Sequence, residues 1–155
     1  MKVNLLDLIN GEINVFRPEE TRMVLQKAYE ALLNGGHLVI EVHTLAAVRA
    51  IGENGSRWNA LESELFSEEP HLMLKETYWD EVLRVATERY YIIDAVSGGV
   101  VRHAASIQGY TEKEDVKLLE DCGFGAIRTH PSLGGKDGER DKNYVVYVAK
   151  ALQLE

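Results

Sequence analysis

One stretch limits what this chain can fold into more than any other: Asn34 to Thr44, NGGHLVIEVHT. The pair Gly35-Gly36 is a helix-stopping signal, because glycine takes the left-handed conformation that closes a helix at no steric cost. The apolar run behind it, Leu38, Val39, Ile40 and Val42, is too continuous for a strand with one wet face. It reads as a central strand of a parallel sheet, covered on both faces. Glu41, His43 and Thr44 end the run, and an open α/β sheet binds its ligands beyond the carboxyl ends of its strands. The chemistry is expected there.

The flanks of this strand build a βαβ unit. Val3 to Ile9 is a second apolar strand, broken only by Asp7 and placed unusually close to Met1 for a central strand. The loop Asn10 to Phe16 follows, and Arg17-Pro18-Glu19-Glu20 then opens a helix. Proline at a first helical position loses no hydrogen bond there, and the two acids meet the positive end of the helix dipole. Val24, Ala28, Ala31 and Leu32 form the helix's apolar stripe, and the helix closes at Gly35. A crossover of this kind is right-handed.

Beyond Thr44, Leu45 to Ile51 predicts a short helix ended by Gly52, Asn54 and Gly55. Trp58, Leu61, Leu65 and Phe66 have helix-like spacing between Arg57 and Glu69. From His71 the chain turns rich in β-branched and aromatic residues. Ser97-Gly98-Gly99 supplies a tight turn between strands at Ala86 to Asp94 and Val100 to Gln108, with a shorter strand near Leu72 to Tyr78. Thr111 and Glu114 form a capping box, and the helix behind them buries Val116, Leu119 and Cys122 before Gly123 ends it. Phe124 to His130 predicts a strand, Pro131 to Lys142 a glycine-rich loop, and Asn143 to Ala149 a last apolar strand. The expected organisation is one domain over 1–155. Within it, 1–70 form a βαβ half-sheet with a helical segment, 71–110 an antiparallel insertion, and 111–155 a helix with two final strands.

Composition narrows the function classes. A formal charge of −8 over 155 residues repels nucleic-acid backbones and anionic membranes, so neither is expected as a partner. No run approaches the ~20 apolar residues of a membrane helix, and VNLLDLI is no signal peptide. A cytoplasmic location is expected, which the single cysteine, Cys122, also suits. The five histidines show no ligand spacing, so no metal site is expected, and no GxSxG motif points to a hydrolase. Glu41 and His43 lie two residues apart, on one side of their strand. Histidine titrates near neutral pH, making His43 the candidate base, with Glu41 orienting it or binding a cationic acceptor. The alternative is a buried pair that satisfies loop N–H groups.

DLINGEINVFRPEE, LLNGGHLVIEVHT, GYTEKEDVKLLEDCGF and NYVVYVAK, in this order, closely resemble the C-terminal half of class I S-adenosylmethionine-dependent methyltransferases that act on small molecules. The resemblance implies a partial Rossmann-like α/β sheet, a half-sheet whose last strand is antiparallel, with an inserted antiparallel β layer. It makes Glu12 and Asn14 acceptor-positioning groups beside the methyl group and Phe16 a wall. In relatives the inserted layer often covers the acceptor, which makes Trp79, Tyr91 and Arg102 candidate substrate contacts; aromatic rows on strands also serve as core or dimer contacts. The family's cofactor-binding half is missing from the sequence. No GxGxG follows a strand, and Gly134-Gly135 with Gly138 opens no helix. The cofactor-binding residues therefore stay unassigned, and S-adenosylmethionine is not expected to bind the lone monomer.

In that family the strand matching Val3 to Ile9 lies between two neighbours, so here it becomes an open, apolar edge. Such an edge templates another chain. A homodimer, or a complex with a separate N-terminal half, is expected through residues 3–9. The function implied is the acceptor-side half of such a methyltransferase; the alternative is a non-catalytic dimeric binding or assembly module derived from the same fold.

Overall fold

The computed structural model describes residues 2–63, 65–134 and 142–153. Its elements are β1 (Val3–Leu8), a 3₁₀ helix (Glu12–Val15), α1 (Pro18–Ala31), β2 (Leu32–His43), α2 (Leu45–Gly52), β3 (Arg57–Leu61), β4 (His71–Asp80), β5 (Val85–Asp94), β6 (Val100–Gln108), α3 (Glu112–Asp121), β7 (Phe124–His130) and β8 (Tyr144–Ala151). They form two four-stranded sheets, ordered β1-β2-β8-β7 and β3-β4-β5-β6.

In the first sheet β1 runs parallel to β2, with Leu8 beside Ile40, and β8 returns antiparallel, with Ile40 beside Tyr147. Alternate residues of β2, Leu38, Ile40 and Val42, are fully buried and pack with Leu25 and Ala28 of α1, Leu119 of α3 and Cys122 just beyond its end. That face holds the core. The opposite face carries His37, Val39 and His43, each half-buried, so β2 is fully covered on one side only. β1 is an edge strand, as expected, and Leu5 stands 60% exposed on it.

Several elements depart from the sequence reading. Helix α1 ends at Ala31, four residues before Gly35, because Leu32 is already extended (φ −83°, ψ 146°) and β2 starts there. Its buried stripe contains Thr21 and Leu25, and Val24 is only half-buried. The span read as helix-like after Arg57 instead begins with strand β3, paired antiparallel to β4 from Arg57 opposite Lys75 to Leu61 opposite His71. An available sheet edge overrode the local spacing. The antiparallel insertion therefore begins at Arg57 rather than His71. β4 runs ten residues, longer than expected. β5 and β6 lie within one residue of their expected spans. Part of the glycine-rich loop, 135–141, lies outside the described residues.

The second sheet is held to the rest by close packing. Helix α2 lies against β4 and β5, and a Cβ on Gly52 would come within 2.9 Å of Trp79 Cα and the Tyr78 carbonyl. Both are backbone atoms of a paired strand and cannot swing aside. Gly52→Ala is thus an overpacking substitution, expected to cost about 1–3 kcal/mol. Urea unfolding followed by circular dichroism measures it; an unchanged midpoint would mean that α2 is not seated on β4.

Candidate functional site

The parallel pair β1 and β2 ends its strands at Leu8 and His43, and the chain between β1 and α1 closes over those ends. Two successive left-handed residues, Asn10 (φ 59°) and Gly11 (φ 67°), turn it. They aim two backbone N–H groups at one residue. Asn10 N–H donates to Glu41 Oε2 at 2.8 Å, and Gly11 N–H donates to the Glu41 carbonyl at 3.1 Å. Glu41 is only 7% exposed. A buried carboxylate is tolerated when a donor meets it, and here Asn10 N–H comes from the loop that the site needs in place.

Asn14 works from the other side of the loop. Its carboxamide is buried, accepts from His43 N–H at 2.9 Å and donates to the Gln108 carbonyl at 2.9 Å. It therefore joins the 3₁₀ helix to the end of β2 and to the end of β6 in the other sheet. The His43 ring stacks on Tyr144, with centroids 4.5 Å apart and planes at 28°. The ring also presses on Gly11, where a Cβ would meet its Cδ2 at 2.3 Å. Only glycine satisfies both the backbone angle and this contact. Leu8, Glu12, Val15, Phe16, His43 and Ile107 then line a cavity of about 490 Å³. Glu12 is exposed and Phe16 half-buried at its wall.

So the structure brings Glu12, Phe16 and His43 to one cavity, with Asn14 and Glu41 beneath holding its loop. It does not gather Trp79, Tyr91 and Arg102. Tyr91 and Arg102 are cross-strand neighbours on one face of the second sheet, the guanidinium 5.8 Å from the ring centroid, and Tyr91 OH donates to Glu76. Trp79 lies on the other face, its Nε1–H donating to Glu81 Oε2 at 2.7 Å. Sequence reasoning overlooked Ile107 and Gln108, whose role depends on where β6 ends in space. It also overlooked Thr44 as the cap of α2. The capping hydroxyl accepts from Ala47 N–H and donates to the Lys142 carbonyl, and the helix-start preference for threonine was a readable signal.

A larger cleft of about 820 Å³ lies between α1, α3 and the β4–β5 turn. Five of its charged groups are engaged with one another: Arg84 pairs with Glu114 through both carboxylate oxygens, and Arg22 and Lys117 pair with Asp121, which leaves Arg17 and Glu19 at the rim. The Arg84 pair, helped by Thr111, holds the Glu114 carboxyl at about 2. This cleft is not at the ends of the parallel strands. Among the described residues no group of three or more histidine, cysteine, aspartate or glutamate side chains is arranged to hold a metal ion, and no helix is long and apolar enough to cross a membrane.

Asp115, in the first turn of α3, is buried. Burial pushes its carboxyl up to about 7, although the Tyr147 hydroxyl, 3.2 Å away, opposes the rise. The unfolded chain releases this proton near pH 3.9, so between about pH 4 and 7 the folded state binds more protons. Its contribution therefore falls as pH rises through that window, by up to roughly 4 kcal/mol, and is flat above it. Asp115→Asn is expected to gain stability relative to the native protein on going from pH 5 to pH 8 in urea titrations. A constant difference between the two would contradict the burial. For Asn14→Ala the expected loss is about 1–3 kcal/mol, since it strands His43 N–H and the Gln108 carbonyl; denaturation at a single pH tests it.

Neither a family model nor a curated protein matches the sequence. Solved structures do match its fold. An S-adenosylmethionine-dependent methyltransferase from Clostridium acetobutylicum superposes with a TM-score of 0.70 at 11% identity, covering 98% of this chain and 59% of that one. The CcbJ methyltransferase from Streptomyces caelestis gives 0.69 at 15% identity, with 98% and 58% covered. The sugar N-methyltransferase KedS8 from Streptoalloteichus gives 0.67 at 13% identity, with 98% and 57% covered. At such identities the likeness is one of fold. The chain has a methyltransferase-like α/β fold and spans less than three-fifths of the length of these structures.

Proposed function

We propose that this chain is the acceptor-side half of an S-adenosylmethionine-dependent methyltransferase acting on a small molecule, completed by a second polypeptide along the open edge of β1. The observation that carries this reading is the cavity at the ends of β1 and β2, roofed by the Asn10–Phe16 loop and floored by His43. It lies where a parallel sheet presents a ligand. The solved structures of the same fold, named as methyltransferases, support the reaction class.

The chain's own residues do not fit the cofactor. The glycine of its strand-to-helix turn, Gly11, is covered by the His43 ring rather than open to a ligand, and the sequence holds no glycine-rich turn that opens a helix. In this reading S-adenosylmethionine is held by the second polypeptide. This chain's share is the acceptor: Glu12 and Phe16 position it, His43 takes its proton where one must leave, and Asn14 and Glu41 fix the loop. Alignment of the acceptor supplies most of the rate in such a displacement.

Calorimetric titration separates this reading from a non-catalytic assembly module. S-adenosylmethionine should give no heat with the chain alone and saturable heat once a complementary N-terminal half is added. Heat with the lone chain contradicts the split site, and none in either case favours the module. In the assembled enzyme His43→Gln should lower turnover by about 100-fold or more; a rate within twofold of the native value would remove His43 from the mechanism.

A further inference from the structure

What the cavity over the ends of β1 and β2 can accept follows from its lining, and calling its occupant the acceptor rests on the function proposed above. Its walls are apolar: Leu8, Ile13, Val15, Phe16, Val24 and Ile107. Val15 stands 57% exposed beside it, although it belongs to the short helix whose Ile13 and Asn14 are buried. An occupant with an apolar body covers such a surface, and taking that surface out of water drives its binding.

Polar partners are few. Among the described residues that line the cavity, Asn10, Glu12 and His43 bring the polar side chains, and none is lysine or arginine. The backbone adds little, because the N–H groups of Asn10 and Gly11 at the left-handed turn are already spent on Glu41. An anionic acceptor would find no counter-charge and would face the Glu12 carboxylate. A sugar would strand several hydroxyls against apolar walls, and each buried hydroxyl without a partner is costly. A single cationic nitrogen has a place, since Glu12 is exposed on the lining and the chain's formal charge of −8 draws cations.

We propose that the cavity takes a hydrophobic monoamine, its aromatic or alicyclic body seated against Val15, Phe16 and Ile107 and its one amino group turned toward Glu12 and His43. A volume of about 490 Å³ lies within the ~300–1,000 Å³ of small-molecule sites and leaves room for a ring with a short side chain. The acceptor is thus unlike the one for which the sugar N-methyltransferase KedS8 is named.

Titration of the full chain with phenethylamine, followed by amide NMR, tests this without S-adenosylmethionine. Phenethylamine should shift the amides of the Asn10–Phe16 loop, His43 and Ile107 and bind with a dissociation constant of about 1 mM or below. Phenethyl alcohol keeps the body without the charge and should bind about threefold more weakly. Hydrocinnamate reverses the charge and glucosamine puts the amine on a hydroxylated ring; each should bind at least about tenfold more weakly. Glu12→Gln should erase the preference for phenethylamine over phenethyl alcohol, while Val15→Ser should weaken both by about threefold. Both positions are exposed, and the ligand series on the native chain stands without either variant. Glucosamine or hydrocinnamate binding as tightly as phenethylamine, no preference over phenethyl alcohol, shifts confined to residues outside the cavity, or no binding at all would each overturn the proposal. A chain that binds phenethylamine yet gives no S-adenosylmethionine heat with or without an N-terminal half keeps this site and loses the methyltransferase reading.

Discussion

The carboxamide of Asn14 is the joint on which the site depends. It bonds a residue of the first sheet, His43, and a residue of the second, Gln108, from a short helix that belongs to neither. Buried, it cannot exchange these partners for water, so the two sheets meet at a fixed distance on either side of it. Glu41 completes the arrangement by receiving the left-handed turn at Asn10 and Gly11. The loop over the strand ends is thus held by three elements far apart in sequence, and the cavity it roofs owes its shape to that fixation.

Much of this could be read from residues alone. Continuous apolar runs and turn chemistry located β5, β6, β7 and β8 closely, and the buried second half of β2, because burial and positive φ leave local marks. The capping box at Thr111 and Glu114 formed as its spacing implied. What the sequence hid was tertiary. Arg57–Leu61 has no strand pattern and becomes one only because β4 offers an edge. Asp115 looks like an acid suited to a helix start, yet the helix turns it inward beneath Tyr147. At the site, Glu41 and His43 were legible as a pair on one strand. The partners that decide their state, Asn10, Gly11, Asn14 and Tyr144, are brought to them by the crossover and by the last strand.

Both sheets end in exposed strands, and the two edges differ in kind. β1 is short, sits beside the cavity and runs parallel to its neighbour, so a strand added there would extend the ligand-binding row of strand ends. β6 is longer and antiparallel to its neighbour, and its last residues, Ile107 and Gln108, reach the cavity wall and Asn14. This chain covers 57–59% of the length of the three solved methyltransferase structures whose fold it shares.

The account stands on β1 being an edge that another polypeptide completes. Amide hydrogen exchange read residue by residue tests this directly. In the isolated chain the outward amides of Val3–Leu8 should exchange rapidly while those of β2 and β8 stay protected, and adding a complementary N-terminal half should slow the β1 amides alone. Outward β1 amides already as slow as those of β2 in the isolated chain would contradict it.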